Sequence, residues 1–426
     1  MKKMISLLLA MVLVLSLCAC TDVEGDMQSD PAKQPQTSVP NQSATGNGTE
    51  PGTTNPGNTP DLDEDIFSKT SYTDQNDELK LHKDDVVATF GDMKLTNVQM
   101  QIYYWTEVYN FINEYYYYLS YLGFDYTKPL DTQPCSFNNK YTWQQYFIDT
   151  AITSWLNGVA MESLARKNGF VLPEAYQAQL DSLADNLSTQ ATQGGFDSVD
   201  AMVQATFGSC VTLSDYLSYM EGSYLGYAYF EMRCAAINPT QEQIEEYYNK
   251  NEEKLVASGI KKDGSYTIDV RHILVLISDV VTEMGGSSAT EEHWEACRSA
   301  AQKIYDAYLA GDQTEELFGQ LANEHSDDQG GNVTNGGLYS GVKPGQMVTE
   351  FNDWCFDENR QIGDTDLVKT QYGYHVMYFA GREESWITQT REAIVSEEAQ
   401  KIAQEALTME NAQIIYKNIL LADVKI

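Results

Sequence analysis

The stretch SYTIDVRHILVL, residues 265–276, alternates apolar and polar side chains and then ends in a continuous apolar run. Alternation with a period of two is typical of a half-buried β-strand, and the apolar run indicates that the end of the strand is buried on both faces. His272 stands at the start of that run. We therefore predict a buried strand that carries His272.

The segments that follow continue this mixed pattern of helices and strands. Amphipathic periodicity predicts two helices, a glycine-rich loop comes next, and a short helix precedes a closing hairpin. The predicted elements are helices at 290–309 and 315–324, the loop SDDQGGNVTNGG at 326–337, a short helix through Trp354, and strands at 366–370 and 374–379 around a turn at Gln371-Tyr372-Gly373.

In this order the segments resemble the parvulin-type peptidyl-prolyl isomerase domain, over residues 265–382. Any one piece alone is weak, whereas the pieces in sequence order are a strong signal. They are HILV at 272–275, FGQLANEHSDD at 318–328, Gly336-Gly337, Met347 with Phe351 four residues later, and KTQYGYH at 369–375. The family's Gly-Gly-Asp-Leu-Gly is here Gly336-Gly337-Leu338-Tyr339-Ser340, without the Asp. The resemblance implies an α+β domain with a small antiparallel sheet flanked by helices.

The resemblance also implies a site and a reaction. Rotation about an X-Pro bond breaks no covalent bond, so the reaction requires no nucleophile, metal or cofactor. A polar set would orient or polarise the substrate amide, and an apolar set would surround the proline ring. The implied catalytic residues are His272, Asp328, Thr370 and His375, and the implied substrate-binding residues are Tyr339, Met347, Phe351 and Tyr372.

The N-terminal residues predict export and a lipid anchor. Lys2 and Lys3 precede an apolar run that is shorter than the ~20 residues of a spanning helix, so we predict a signal peptide over residues 1–19. Residues 17–20, Leu-Cys-Ala-Cys, resemble the bacterial lipobox, which implies a lipid on Cys20. Residues 20–83 are predicted to be a flexible tether, because large apolar side chains are scarce in most of them. The folded part is thus expected on the extracytoplasmic face of the cell membrane.

Residues 84–262 are predicted to form a mostly helical domain. It opens with a strand, a turn and a second strand over 85–96, and this start resembles that of the SurA/PrsA chaperone domains. The helices carry many Tyr and Met residues, which fit either a core or a groove for unfolded chain. In this family the tail, here 383–426 with a helix over 392–417, packs on the helical domain, so that the isomerase domain is an insertion.

The composition limits the partners. The chain has 27 Lys and Arg residues against 62 Asp and Glu, a formal net charge of -35, which argues against nucleic acid. Five cysteines follow the leader, and an odd number without a C-x-x-C pair predicts neither a zinc cluster nor a complete disulfide framework. The sequence does not decide whether one or two disulfides form, or whether the protein is a homodimer.

The whole chain resembles the PrsA-type foldase lipoproteins of Gram-positive bacteria. The resemblance implies an isomerase and chaperone that acts on unfolded or partly folded exported proteins. A holdase chaperone with an inactive parvulin domain is the main alternative. A surface hydrolase is disfavoured because neither G-x-S-x-G nor H-E-x-x-H occurs, and a solute-binding lipoprotein is disfavoured because the long helical middle supplies no repeated βα units.

Overall fold

The computed structural model describes residues 65–328 and 335–426, and in these ranges it contains seven strands and twelve α-helices. The predicted signal peptide, Cys20 and the tether up to residue 64 lie outside the described residues. The strands are β1 Val86–Phe90, β2 Met93–Thr96, β3 Tyr266–Leu276, β4 Leu338–Val342, β5 Thr365–Lys369, β6 Gly373–Glu384 and β7 Ala412–Ile414. The helices are α1 Glu78–Leu81, α2 Asn97–Glu114, α3 Trp143–Lys167, α4 Glu174–Gly194, α5 Val199–Phe207, α6 Leu213–Ala235, α7 Gln241–Ala257, α8 Ile277–Glu283, α9 Glu291–Ala310, α10 Glu315–His325, α11 Thr349–Cys355 and α12 Ser385–Thr408.

The chain divides into two compact units. Unit 1 takes the residues up to Ala236 together with Glu398–Ile426, and unit 2 takes Ile237–Glu397. Each unit combines helices with one antiparallel sheet, in the strand orders β2-β1-β7 and β4-β3-β6-β5. This confirms the predicted α+β class.

The C-terminal residues complete the sheet of unit 1. Strands β1 and β2 form the predicted hairpin, and β7 pairs with β1 so that Ala88 faces Ile414. The Ile415 N–H continues this pairing by donating to the Val87 carbonyl at 2.7 Å. The helix that we predicted to reach Lys417 therefore ends earlier, at Thr408, because the backbone beyond it bonds to β1 instead.

The helices of unit 1 begin and end where local signals place them. Helix α3 begins at a capping box in which Thr142 and Gln145 bond to each other's backbone N–H, and Gly169 follows its end at φ 66°. Most of the aromatic side chains on these helices are buried, which supports the core interpretation for them. Tyr117 and Tyr121, in the segment after α2, are instead 91% and 90% exposed.

Residues 65–83 do not belong to a tether, so this part of the prediction is wrong. Ile66, Tyr72 and Leu79 are buried in unit 1. The Tyr72 hydroxyl donates to the Ile66 carbonyl at 2.7 Å, and the Tyr72 N–H donates to the Gln144 side chain at 2.8 Å. Three well-spaced apolar residues are enough to fix this segment, although they form no helical or strand period.

Alternation along the two central strands of unit 2 separates its two cores. Ile273 and Val275 of β3 pack with α9 and α10, in the same cluster as Val376 of β6. Side chains at the alternate positions of the same strands, such as Val270 and Met377, point to the opposite face and pack with α11. His272 lies two residues from Val270, and His375 lies two residues from Met377. Both histidines therefore point to the same face of the sheet as these residues, the face that packs with α11.

The five described cysteines are free thiols: Cys135, Cys210, Cys297 and Cys355 are buried, and Cys234 is half-buried. None of the helices in the described part of the chain is long and apolar enough to cross a membrane.

Candidate active site

Two buried histidines from neighbouring strands form the centre of the site. His272 on β3 is 4% exposed and His375 on β6 is 5% exposed. The strand register pairs His272 with Met377 and Leu274 with His375, so the two histidines are diagonal neighbours. Their Nδ1 atoms lie 3.1 Å apart and their rings are stacked with centroids 5.2 Å apart. A contact of that length between two ring nitrogens holds a single hydrogen.

A continuous hydrogen-bonded chain runs through this pair. The Tyr372 N–H donates to Thr370 Oγ1 at 3.2 Å, which leaves the Thr370 hydroxyl to donate to His375 Nε2 at 2.9 Å. Nδ1–H of His375 then donates to His272 Nδ1, and Nε2–H of His272 donates to Asp328 at 3.1 Å. Both tautomers are assigned here from the partners of the rings. The chain satisfies both rings in their neutral forms.

Burial favours the neutral form of His375. Desolvation, together with the smaller effect of the nearby His272, lowers the pKa of His375 to about 3, and Asp328 opposes this shift. An imidazole with this pKa is uncharged at any physiological pH. The pair therefore offers hydrogen bonds to the site without adding a buried positive charge from His375.

The carboxylate at the end of the chain is held by bonds that the sequence did not reveal. Asp328 Oδ2 accepts from His272 and also from the Tyr339 hydroxyl, the latter at 2.7 Å. The two preceding residues fasten the loop to β3: Ser326 Oγ accepts from the Leu274 N–H at 3.1 Å, and Asp327 accepts from the Leu276 N–H at 2.9 Å. The sequence predicts no role for Ser326 or Asp327 beyond their place in the motif. Polar residues directly after a predicted helix were the only available signal.

Backbone contact explains the Gly-Gly pair. Gly337 has φ 68°, and its carbonyl accepts from the His272 N–H at 3.0 Å. A Cβ on Gly337 would lie 2.3 Å from the His272 carbonyl oxygen, so only glycine fits there. Arg271, which was also missed, donates to the carbonyls of Asn335 and Gly336 and pairs with Glu315.

An aromatic and aliphatic wall covers the histidines. The Phe351 ring stands edge-on to both, at 5.3 Å from His272 and 5.5 Å from His375 between centroids. Met347 and Tyr339 are partly buried against the same core cluster as Phe351. The Tyr339 ring also lies 5.0 Å from the His272 ring. An apolar surface thus adjoins the polar chain that ends at Asp328.

The structure brings seven of the eight predicted site residues together. Tyr372 is the exception: it lies in the turn before β6 with half of its side chain exposed, and only its backbone joins the hydrogen-bonded chain. Its assignment as a substrate-binding residue stays a prediction, as do the roles of the other seven. Within residues 65–328 and 335–426, no group of three or more His, Cys, Asp or Glu side chains is placed to hold a metal ion.

Comparison with known proteins identifies this region. The family model of the PPIC-type PPIASE domain matches residues 254–382. The chaperone SurA of Pseudomonas putida is 35% identical over 115 residues, which are 27% of this chain and 23% of that protein. The foldase protein PrsA of Geobacillus kaustophilus is 27% identical over 157 residues, which are 33% of this chain and 53% of that protein. The chain therefore spans about a quarter of the SurA length and about half of the PrsA length.

A solved structure, the crystal structure of PrsA from Bacillus subtilis, is similar with a TM-score of 0.36 and 20% identity, over 63% of this chain and 88% of that one. The family relation follows from the sequence matches, and it confirms the resemblance inferred from the motifs. Residues 254–382 form a parvulin domain of the PPIC type, and the chain is related in sequence to the SurA chaperones and the PrsA foldases.

Proposed function

We propose that this protein accelerates cis/trans rotation about X-Pro bonds in unfolded or partly folded exported polypeptides, and that it also holds such chains as a chaperone. The observation that carries the proposal is the His272–His375 pair, buried under Phe351 and bonded through to Asp328, within a PPIC-type domain. The names of the related proteins, SurA chaperones and PrsA foldases, support the chaperone part.

The apolar side chains of the site are suited to lowering the barrier to rotation about the X-Pro bond. Amide resonance sets a rotation barrier of ~18–20 kcal/mol, so an unaided X-Pro bond takes tens to hundreds of seconds to isomerise. Resonance is lost in the twisted transition state, and the amide becomes less polar there. An apolar surface around the proline ring binds that state better than the planar ground state. Met347 and Phe351 would provide this surface.

The hydrogen-bonded side chains from Thr370 to Asp328 would orient the substrate amide. An imidazole pair hydrogen-bonded to Thr370 at one end and to Asp328 at the other has fixed dipoles, which need not reorganise when the substrate amide twists. The side chains that face the substrate in this proposal are Tyr339, Asp328 and His272. His375 and Thr370 would act through His272 by fixing its tautomer, and Tyr372 at the exposed turn would contact the client chain.

The test is isomerisation of a Pro-containing peptide by residues 65–426, followed by NMR exchange. The parent should accelerate exchange, and Met347→Ala should lose most of the acceleration while its circular dichroism is unchanged. Met284→Ala, at an exposed methionine of the same unit, is the matched control and should stay active. If the folded parent gives no acceleration, the enzymatic proposal fails and the holdase alternative takes its place.

The proposed location is the extracytoplasmic face of the cell membrane, with a lipid on Cys20 and a tether ending near residue 64. The basic and apolar leader and its lipobox support this. A chain expressed in a Gram-positive host should incorporate labelled fatty acid, and its Cys20→Ser variant should not. Equal labelling of the two chains would contradict a lipid on Cys20.

A further inference from the structure

A cleft in unit 1 lies between α4, α5 and α6 and has a volume of about 890 Å³. Its lining combines aliphatic and polar side chains, and Leu180, Leu213 and Leu217 are among the aliphatic ones. Asp181, Asp200 and Glu221 also line it, and all three are exposed. The remaining lining is mostly small polar side chains, which can bond to a peptide backbone. A polypeptide segment presents both kinds of partner, because it carries apolar side chains on a polar backbone.

Helix caps hold the walls of this cleft in place. Helix α5 begins at Ser198, whose hydroxyl accepts from the Ala201 N–H at 3.0 Å. Asp200 accepts from the Leu213 N–H at 2.7 Å and so ties the start of α5 to the start of α6. Thr212 and Asp215 form a capping box at the same end of α6. The cleft is therefore formed before any ligand arrives, which lowers the entropic cost of binding.

The charge of the surrounding chain is of one sign only. No Lys, Arg or His occurs from residue 168 to residue 232, a stretch that covers all of α4 and α5 and nearly all of α6. The same stretch contains eight carboxylates: Glu174, Asp181, Asp185, Asp197, Asp200, Asp215, Glu221 and Glu231. A cleft with low-dielectric walls and charges of one sign focuses the electrostatic potential. Anionic ligands and anionic lipid surfaces are repelled from it, and cationic ligands are attracted.

We infer that this cleft binds extended segments of unfolded polypeptide in which apolar side chains are flanked by Lys or Arg. The apolar side chains would contact the three leucines of the lining, and the cationic side chains would pair with Asp181, Asp200 and Glu221. The inference rests on the proposed function, because it gives the place where the chaperone holds its client. It also specifies the client chemistry, which the isomerase site does not.

The test measures binding of two fluorescent peptides to residues 65–426 by anisotropy. Both peptides lack proline, so that the parvulin site is not probed, and both contain the same apolar centre, flanked by Lys in one and by Glu in the other. The Lys peptide should bind, its Kd should rise steeply with salt, and the Glu peptide should bind at least about tenfold more weakly. Equal affinity for the two peptides would overturn the inference.

Two double variants locate the binding. Asp181→Lys/Glu221→Lys should weaken the Lys peptide by about tenfold or more, as expected for two exposed charge pairs that become repulsive, and it leaves the Asp200 bond to the Leu213 N–H intact. Glu252→Lys/Glu253→Lys changes the net charge equally at exposed positions of unit 2 and is the matched control. A similar loss in both variants would show that net charge, and not the cleft, attracts the peptide.

Two further measurements separate the remaining outcomes. Ala184→Trp places a bulky ring in the lining without changing charge and should also weaken binding, which a purely electrostatic surface would not show. Peptide isomerisation by the cleft double variant should equal that of the parent, so failure at the cleft and failure of the isomerase proposal are distinguishable. If sedimentation shows a dimer that the Lys peptide does not dissociate and that blocks peptide binding, a second copy occupies the cleft and the inference is wrong.

Discussion

His272 and His375 share one hydrogen between Nδ1 atoms 3.1 Å apart, although the sheet register never places the two residues directly opposite each other. The diagonal placement lets the rings stack while each keeps its Nε2 atom for a different partner, Asp328 for one and Thr370 for the other. Protonation of His375 on Nδ1 and Nε2 together would remove the acceptor of the Thr370 hydroxyl. The geometry therefore favours a neutral His375.

The first prediction concerns stability at acid pH. The folded pKa of His375 is about 3, below the ordinary 6.5. Above pH 6.5 neither state binds a proton at this residue. Below pH 6.5 the unfolded chain binds a proton at this residue while the folded chain does not. The free energy of unfolding therefore decreases as the pH is lowered from 6.5 to 3. We expect His375→Asn to remove this part of the acid sensitivity.

The measurement is urea unfolding of the parent and of His375→Asn at several pH values from 7.5 to 4.5, with comparison of slopes and not of absolute stabilities. The carboxylates titrate in both proteins and cancel in the difference. Parallel curves for the two proteins would mean that His375 binds its proton equally in both states, and the buried neutral assignment would then be wrong.

The second prediction concerns Asp328. Asp328→Asn keeps the side-chain shape but removes the negative charge, and the neutral amide oxygen that takes the place of Oδ2 accepts from Tyr339 and His272 more weakly than the carboxylate does. We expect kcat/KM for a Pro-containing peptide to fall by about tenfold or more, as for loss of a preorganised polar group. Tyr339→Phe removes only the 2.7 Å bond and should cost less. Asp312→Asn, at an exposed turn, is the control, and equal activity of Asp328→Asn and Asp312→Asn would argue against the proposed role.

The central strands and the histidine pair could be predicted because they depend on short-range order in the sequence. The alternation around Val270 and the apolar run after His272 set the strand, and the parity of His375 on β6 then sets its face. The anchoring of Asp328 through Ser326 and Asp327 could not be predicted. These are single hydrogen bonds from a loop to a strand 51 or 52 residues away, and no period in the sequence records them.

The predictions for the two ends of unit 1 were wrong for a related reason. Tyr72 and Leu79 stand in a polar, charged stretch whose composition is that of a tether, and composition averages over the few apolar residues that are buried. The strand Ala412–Ile414 has only three residues, too few for a period, and it exists because β1 offers an unpaired edge. In both cases distant contacts, and not local propensity, decide the structure.

The third prediction concerns the backbone at Gly337. Gly337→Ala would place its Cβ 2.3 Å from the His272 carbonyl oxygen at φ 68°. We expect a loss of about 2 kcal/mol or more in the free energy of unfolding, together with lower isomerase activity, because the clash moves β3 at His272. Gly345→Ala is the matched control: its φ is 81° but no atom lies near its Cβ, so only the ~1 kcal/mol backbone cost is expected. Equal losses for the two variants would exclude the contact with His272 as the cause.

The fourth prediction concerns the attachment of the C-terminal residues in unit 1. The fully buried Asn97 side chain donates to the carbonyls of His82 and Asn418 at 3.1 and 2.9 Å, and it accepts from the Leu420 N–H at 2.9 Å. Asn97→Ala leaves these backbone groups without their partner. Since an unsatisfied buried polar group costs about 1–3 kcal/mol, we expect a local loss of about 3 kcal/mol.

Hydrogen exchange followed by mass spectrometry measures this loss where it occurs. In Asn97→Ala, peptides that contain β1 and β7 should exchange faster by about a hundredfold, the factor that corresponds to about 3 kcal/mol, whereas peptides from β3 and β6 should keep their protection. Asn186→Ala, at an exposed position of α4, controls for the loss of an amide and should leave both sets unchanged. Faster exchange in β3 and β6 as well would mean that the two units open together, and an unchanged β7 would mean that strand pairing alone holds the C-terminal residues in place.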